Sequence, residues 1–178
     1  MKVLVVVDMQ NDFVSGSLGT PEAQEIVPKV KRKIEEHREN GDLVWFTQDT
    51  HYGDYLETRE GKKLPVEHCI YSTWGWEIVD DLYTKPKDLV INKPTFGSKT
   101  LVEMLVEESG WYDDNFDEIE LVGLCTDICV VSNALMLKAA FYNVCEISVD
   151  ANCCAGTTPE MHEAALKVME SCQINVKR

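Results

Sequence analysis

Short apolar runs alternate with amphipathic stretches along almost the whole chain. Lys2 to Val7 is a continuous run of β-branched residues and leucine that stops at Asp8, the pattern of a strand covered on both faces. Thr20-Pro21-Glu22 is a helix-start signal, and the amphipathic segment behind it runs to Glu39 before Asn40-Gly41 ends it. Leu43 to Thr47 reads as a second strand, Trp74 to Leu82 as a short helix, and Leu89 to Asn92 as a third strand closing at Lys93. Beyond Pro94, Ser98 to Glu108 is helical. A fourth strand around Ile119, Leu121, Val122 and Leu124 breaks at Cys125, and from Thr126 the apolar positions Ile128, Val131, Leu135 and Ala139 take up the helical period. Val144 to Val149 is a fifth strand ending at Asp150; Thr157 to Glu160 opens another helix, and a last short strand lies near Ile174 to Val176. Two stretches have no period: a Gly- and Ser-rich loop after Asp8, and the long excursion Tyr52 to Thr73.

Strands alternating with helices predict an α/β fold, a six-stranded mostly parallel sheet with helices on both faces, and 178 residues suit one domain spanning 1–178. In such sheets ligands bind beyond the carboxyl ends of the strands, where strand order reverses. Asp8, Asp49, Lys93 and the Cys125–Cys129 turn each follow one of the first four strands, so neighbouring strands would bring them to one rim.

Charge narrows the partners. The net charge is −14, and no basic residue falls between Lys99 and Lys138, where Glu103, Glu107, Glu108, Asp113, Asp114, Asp117, Glu118 and Glu120 crowd together. Nucleic acid and anionic membrane are poor partners for such a surface, and that run reads as a solvated acidic face. The N-terminus lacks the length and cleavage site of a signal peptide, and no stretch suits a bilayer span. Seven cysteines without paired spacings predict plain thiols in a reducing cytoplasm, with Cys69, Cys145, Cys153, Cys154 and Cys172 among them.

Cys129 is the candidate nucleophile. In the first turn of a helix, the helix dipole would favour its thiolate, and the N–H groups of Cys125 and Cys129 would hold a developing oxyanion. Asp8 is a candidate base and Lys93 a cation that keeps it ionised. Asp49, His51 and His68 form a second group, with Glu60 or Glu57 as a fourth member. Oxygen and imidazole donors without sulfur suit Zn²⁺, Mn²⁺ or Fe²⁺. His37 and His162 read as solvent-exposed or packing residues.

The runs VVVDMQNDF, QDTH, LPVEHC, KPTFGS and GLCTDICV, in this order, resemble the isochorismatase-like cysteine hydrolases, and among them the nicotinamidase branch. The resemblance implies a triad of Asp8, Lys93 and Cys129, and a cis peptide at Leu124-Cys125 beside an oxyanion hole from Cys125 and Cys129. It also implies metal ligation by Asp49, His51 and His68 with Glu60 or Glu57, and substrate contacts from Phe13 and Leu124. The implied reaction takes nicotinamide to nicotinate and ammonia through a thioester, assisted by a divalent metal, zinc first. Leu64 and Pro65 stand where nicotinamidases often carry a Trp. Another small amide or ureido acid is the alternative substrate, and a non-catalytic binding protein the alternative class. The resemblance further implies a homo-oligomer.

Overall fold

A computed structural model describes residues 1–82, 84–110, 116–142 and 144–178 of the chain. Strands β1 (Lys2–Val7), β2 (Leu43–Asp49), β3 (Leu89–Lys93), β4 (Glu118–Leu124), β5 (Glu146–Ala155) and β6 (Asn175–Lys177) form one six-stranded sheet in the order β3-β2-β1-β4-β5-β6. Every adjacent pair is parallel. The order reverses between β1 and β4, so Asp8 and the Cys125–Cys129 turn flank the switch point. Gly123 is required there: its φ is +114°, and a Cβ would stand 2.2 Å from the Val7 carbonyl oxygen.

Helices cover both faces. On one, α1 (Asn11–Val14) and α2 (Pro21–Glu39) bury Phe13, Ala23, Ile26, Val30 and Ile34 against Leu4, Val6, Phe46 and Val122. On the other, α3 (Lys99–Glu108), α4 (Val131–Phe141) and α5 (Pro159–Ser171) pack Leu101, Leu105, Leu137 and Leu166 against Val3, Val5, Ile119 and Leu121. Side-chain oxygens of Thr20, Ser98 and Thr158 cap α2, α3 and α5, accepting from Ala23, Leu101 and Met161 N–H at 3.0, 3.1 and 3.2 Å. No helix among the described residues is long and apolar enough to cross a membrane.

Several expectations change. Trp74 to Leu82 forms two 3₁₀ turns, Trp74–Trp76 and Asp80–Leu82, rather than a helix. The bonds there close at i to i+3, Trp76 N–H to the Thr73 carbonyl and Glu77 N–H to the Trp74 carbonyl, both 3.1 Å, and the Trp76 indole reaches away to Thr50 Oγ1 at 2.9 Å. β5 runs past Asp150 to Ala155, because Cys154 and Ala155 keep register with Gly123 and Leu124 after a bulge. The acidic run is not uniformly solvated. Glu118 and Glu120 are buried: Glu118 pairs with Lys2 at 2.8 Å, and Glu120 meets Lys33, His37 and Lys177 at 3.4, 3.1 and 3.0 Å. Burial opposes ionisation of Glu120, yet these donors hold its pKa down at about 2. Asp113 and Asp114 lie outside the described residues. His37 is buried between Asp42 and Glu120, not exposed. All seven cysteines are free thiols.

Candidate active site

Asp8 leaves β1 in the left-handed region, φ 47°, a conformation that aspartate tolerates better than most residues. Its buried Oδ1 accepts from Thr47 Oγ1 at 2.7 Å, and Oδ2 lies 2.7 Å from Lys93 Nζ. Beyond that ion pair Oδ2 has no hydrogen-bond partner among the described residues, which leaves it a lone pair for an incoming proton. Lys93 closes β3 in register with Asp49 of β2. Its ammonium donates to Asp49 Oδ1 at 3.3 Å, the Thr95 carbonyl at 3.1 Å and Cys129 Sγ at 3.4 Å.

Cys129 enters on a π-helical turn, Thr126–Val130, rather than in the first turn of an α-helix. The Cys125 carbonyl accepts from both Ile128 N–H (3.0 Å) and Val130 N–H (3.1 Å), and the wide turn pushes the cysteine toward the switch point. The Leu124–Cys125 peptide is cis. Among the described residues the Cys125 N–H finds no hydrogen-bond acceptor.

Burial works against the expected thiolate. Burial pushes the Cys129 thiol well above its usual range, the Asp8 carboxylate adds to this, and Lys93 opposes it without prevailing. The Lys93 charge is already shared between two carboxylates. Asp8 is itself raised, by burial first and by Asp49, against the pull of Lys93. Both shifts favour the proton-bound forms, so attack by sulfur calls for Asp8 to take the Cys129 proton.

The second group also converges. Ligand atoms of Asp49, His51, Glu60 and His68 all lie within 4.8 Å of one another. Asp49 Oδ2 is 3.0 Å from His51 Nε2 and 3.6 Å from His68 Nε2, and Glu60 Oε1 is 3.6 Å from His51 Nε2. Glu57 lies exposed at the end of a 3₁₀ turn, so Glu60 is the fourth member. His68 Nδ1 donates to the Val66 carbonyl at 2.8 Å, which leaves Nε2 as the free lone pair. His51 Nε2 is buried without a hydrogen bond. Burial opposes ionisation of Asp49, but the adjacent imidazoles of His51 and His68 and the charge of Lys93 hold it well below the usual carboxylate range. Two imidazoles and two carboxylates, one buried nitrogen among them unsatisfied, fit a divalent transition metal.

The two groups share a cavity of about 300 Å³. Asp49, Glu60 and His68 line it together with Cys125 and Cys129; Phe13 and Leu124 line it as expected. The Phe13 ring centroid is 5.5 Å from that of His68. Leu18, Phe96, Ile128 and Thr157 also line it, and the motif reading missed them. Phe96 lies inside KPTFGS and Ile128 between the two cysteines, so position within the motifs was an available signal. Leu18 had none, lying in an aperiodic loop. His162 stands outside this lining, its Nδ1 2.8 Å from Thr126 Oγ1, and burial lowers its pKa.

What the sheet and its rim define is a class, the α/β hydrolases that work through cysteine. Comparison with known proteins narrows it. The Isochorismatase domain matches residues 2–177. The chain is 24% identical to the nicotinamidase of Saccharomyces cerevisiae, over 99% of both chains. Two crystal structures are similar to it. Pyrazinamidase of Pyrococcus horikoshii in complex with zinc is 28% identical, with TM-score 0.83 over 99% of this chain and 98% of that one. N-carbamoylsarcosine amidase from Thermoplasma acidophilum is 29% identical, with TM-score 0.80 over 99% and 95%. The chain belongs to the isochorismatase family, in the nicotinamidase branch of hydrolases that act on amide C–N bonds.

Proposed function

We propose that this hydrolase is a metal-assisted cysteine amidohydrolase of small uncharged carboxamides, with nicotinamide the first candidate substrate. The observation that carries the reading is the contact set of Asp8, Lys93 and Cys129 beside a cavity lined by Cys129 and by three of the four metal-ligand candidates, Asp49, Glu60 and His68. In this reading the Cys129 thiol gives its proton to Asp8 as sulfur attacks the carboxamide carbon. The oxyanion is received by the backbone N–H groups of Cys125 and Cys129. Asp8 returns the proton to the departing nitrogen, ammonia leaves, and a thioester remains. Asp8 then takes a proton from the water that cleaves the thioester, and returns it to sulfur as the acid departs. Lys93 keeps Asp8 able to accept. Asp49, His51, Glu60 and His68 would hold a divalent cation, which would supply a Lewis-acidic point beside the substrate. Zinc is the first candidate, because the similar pyrazinamidase is a zinc complex.

Ureido acids are the second reading, favoured by the similarity to N-carbamoylsarcosine amidase. The cavity counts against them. Its described lining contains no lysine or arginine, and its charged members, Asp49 and Glu60, are acidic. A carboxylate entering there loses water without gaining a side-chain cation.

The test is ammonia release by zinc-loaded protein from nicotinamide, pyrazinamide, benzamide and N-carbamoylsarcosine, with Cys129→Ala as the blank. Turnover of the neutral amides alone supports the proposal. Preference for the ureido acid transfers it to the second reading, and no release above the Cys129→Ala blank removes it.

A further inference from the structure

Asn133 lies in α4, four residues beyond Cys129, and its side chain is completely buried. A buried primary amide carries two donor hydrogens and an acceptor, and each one left unmet is destabilising. All are met here. Oδ1 accepts from the Ser98 N–H at 2.9 Å, and Nδ2 donates to the Phe96 carbonyl at 3.1 Å and the Cys129 carbonyl at 2.8 Å.

These partners belong to two different parts of the site. Phe96 and Ser98 lie in the segment that leaves β3 directly after Lys93. The same segment supplies the Thr95 carbonyl that receives Lys93 Nζ, and the Phe96 ring that walls the cavity. The third partner is the peptide of Cys129 itself. One amide therefore joins the chain carrying the ammonium to the chain carrying the sulfur, behind their 3.4 Å contact. The π-turn has no side-chain cap of its own to do this. Ser132, its neighbour in sequence, bonds only to the adjoining π-turn, at the Ile128 carbonyl (2.6 Å), and does not reach the Lys93 segment.

We propose that Asn133 is a positioning residue: it sets the separation between Cys129 and Lys93 and seats Phe96 against the cavity. The proposal rests on the amidohydrolase reading for its turnover measurement only, because the reactivity of the thiol can be read without an amide substrate. Moving Lys93 away from the sulfur removes the charge that favours the thiolate, so the reactive fraction of Cys129 falls.

The experiment compares Asn133→Ala and Asn133→Asp with Ser132→Ala. The aspartate is isosteric and keeps the acceptor, but it loses both donors and faces two carbonyls. Alkylation of Cys129 by iodoacetamide is followed by peptide mass mapping from pH 6 to 9, alongside thermal unfolding and ammonia release from nicotinamide. Both Asn133 variants are expected to slow alkylation at neutral pH by about 10- to 100-fold, the loss typical of misplacement near 1 Å, with kcat falling more than KM rises. Ser132→Ala is expected to keep both rates within about two-fold, because its one bond stays within the turn and helix that carry Cys129 and does not reach the Lys93 segment. Wild-type alkylation in the Asn133 variants overturns the proposal, as does an equal loss in Ser132→Ala. If Asn133→Ala does not fold, Asn133→Asp is read by the same criteria. If the wild type releases no ammonia, the amidase reading fails, and the alkylation rates still decide the role of Asn133.

Discussion

Glu120 is the carboxylate whose loss has the most clearly bounded consequence for stability. Glu120→Gln keeps the shape of the side chain and removes the charge that faces Lys33, His37 and Lys177 beneath the switch point. A folded-state pKa of about 2 against an ordinary 4.5 corresponds to about 3 kcal/mol of stability, at about 1.4 kcal/mol per unit. Lys177 is about a third exposed, and solvent screening there brings the expected loss to about 2–3 kcal/mol. The sign follows from a depressed acid. The unfolded chain binds the proton first, so the contribution is complete above about pH 4.5 and disappears as pH falls through about 2. Urea unfolding of both proteins at pH 7, 5 and 3.5 should give stability curves that differ by the full amount at pH 7 and converge on acidification. Lys33 keeps a second partner in Asp150 at 2.8 Å, which limits the damage to the surrounding cations. A difference that stays constant from pH 7 to 3.5, or one below about 0.5 kcal/mol at pH 7, would refute the buried-anion argument.

Two further outcomes concern the site. Lys93→Met removes the main influence that holds the Asp8 pKa down while burial and Asp49 go on raising it, so the ionised fraction of Asp8 that can accept the thiol proton falls. Ammonia release should fall by about 10²- to 10⁴-fold, the usual worth of a general base, and retention of wild-type kcat would disprove the assignment. Glu60→Gln replaces an anionic ligand candidate by a neutral amide. Zinc affinity measured by competition with a chelating dye should weaken by about 10-fold or more, whereas unchanged affinity with Glu60→Gln would place Glu60 outside the metal shell.

The fold was legible because its signals are local and repeated. The first three strands end at or beside a residue that cannot continue an apolar run, and Asp8, Asp49 and Lys93 mark those stops. A parallel sheet then gathers them, since all its strands point their carboxyl ends the same way. What stayed hidden depends on distances that no period encodes. Glu118 and Glu120 read as solvated because their cations, Lys2, Lys33 and Lys177, come from β1, α2 and β6, remote in sequence and adjacent only once the sheet is ordered.

The ionisation of Cys129 stayed hidden for a related reason. Position in a helical turn is a sequence property and argues for a thiolate, but complete burial belongs to the packed structure and argues harder for the thiol. The π-turn belongs to the same set: the spacing of Ile128 and Val131 fits a helix, while the extra residue within the turn follows from the shared Cys125 carbonyl. Asn133 shows the general form of the difficulty. An asparagine inside a helix is unremarkable as a letter, and its importance lies in reaching two carbonyls and an N–H supplied by two separate segments. A motif reading therefore finds the groups that do chemistry, because chemistry restricts residue type. It passes over the groups that hold them, because many residue types can hold, and only geometry shows which one does.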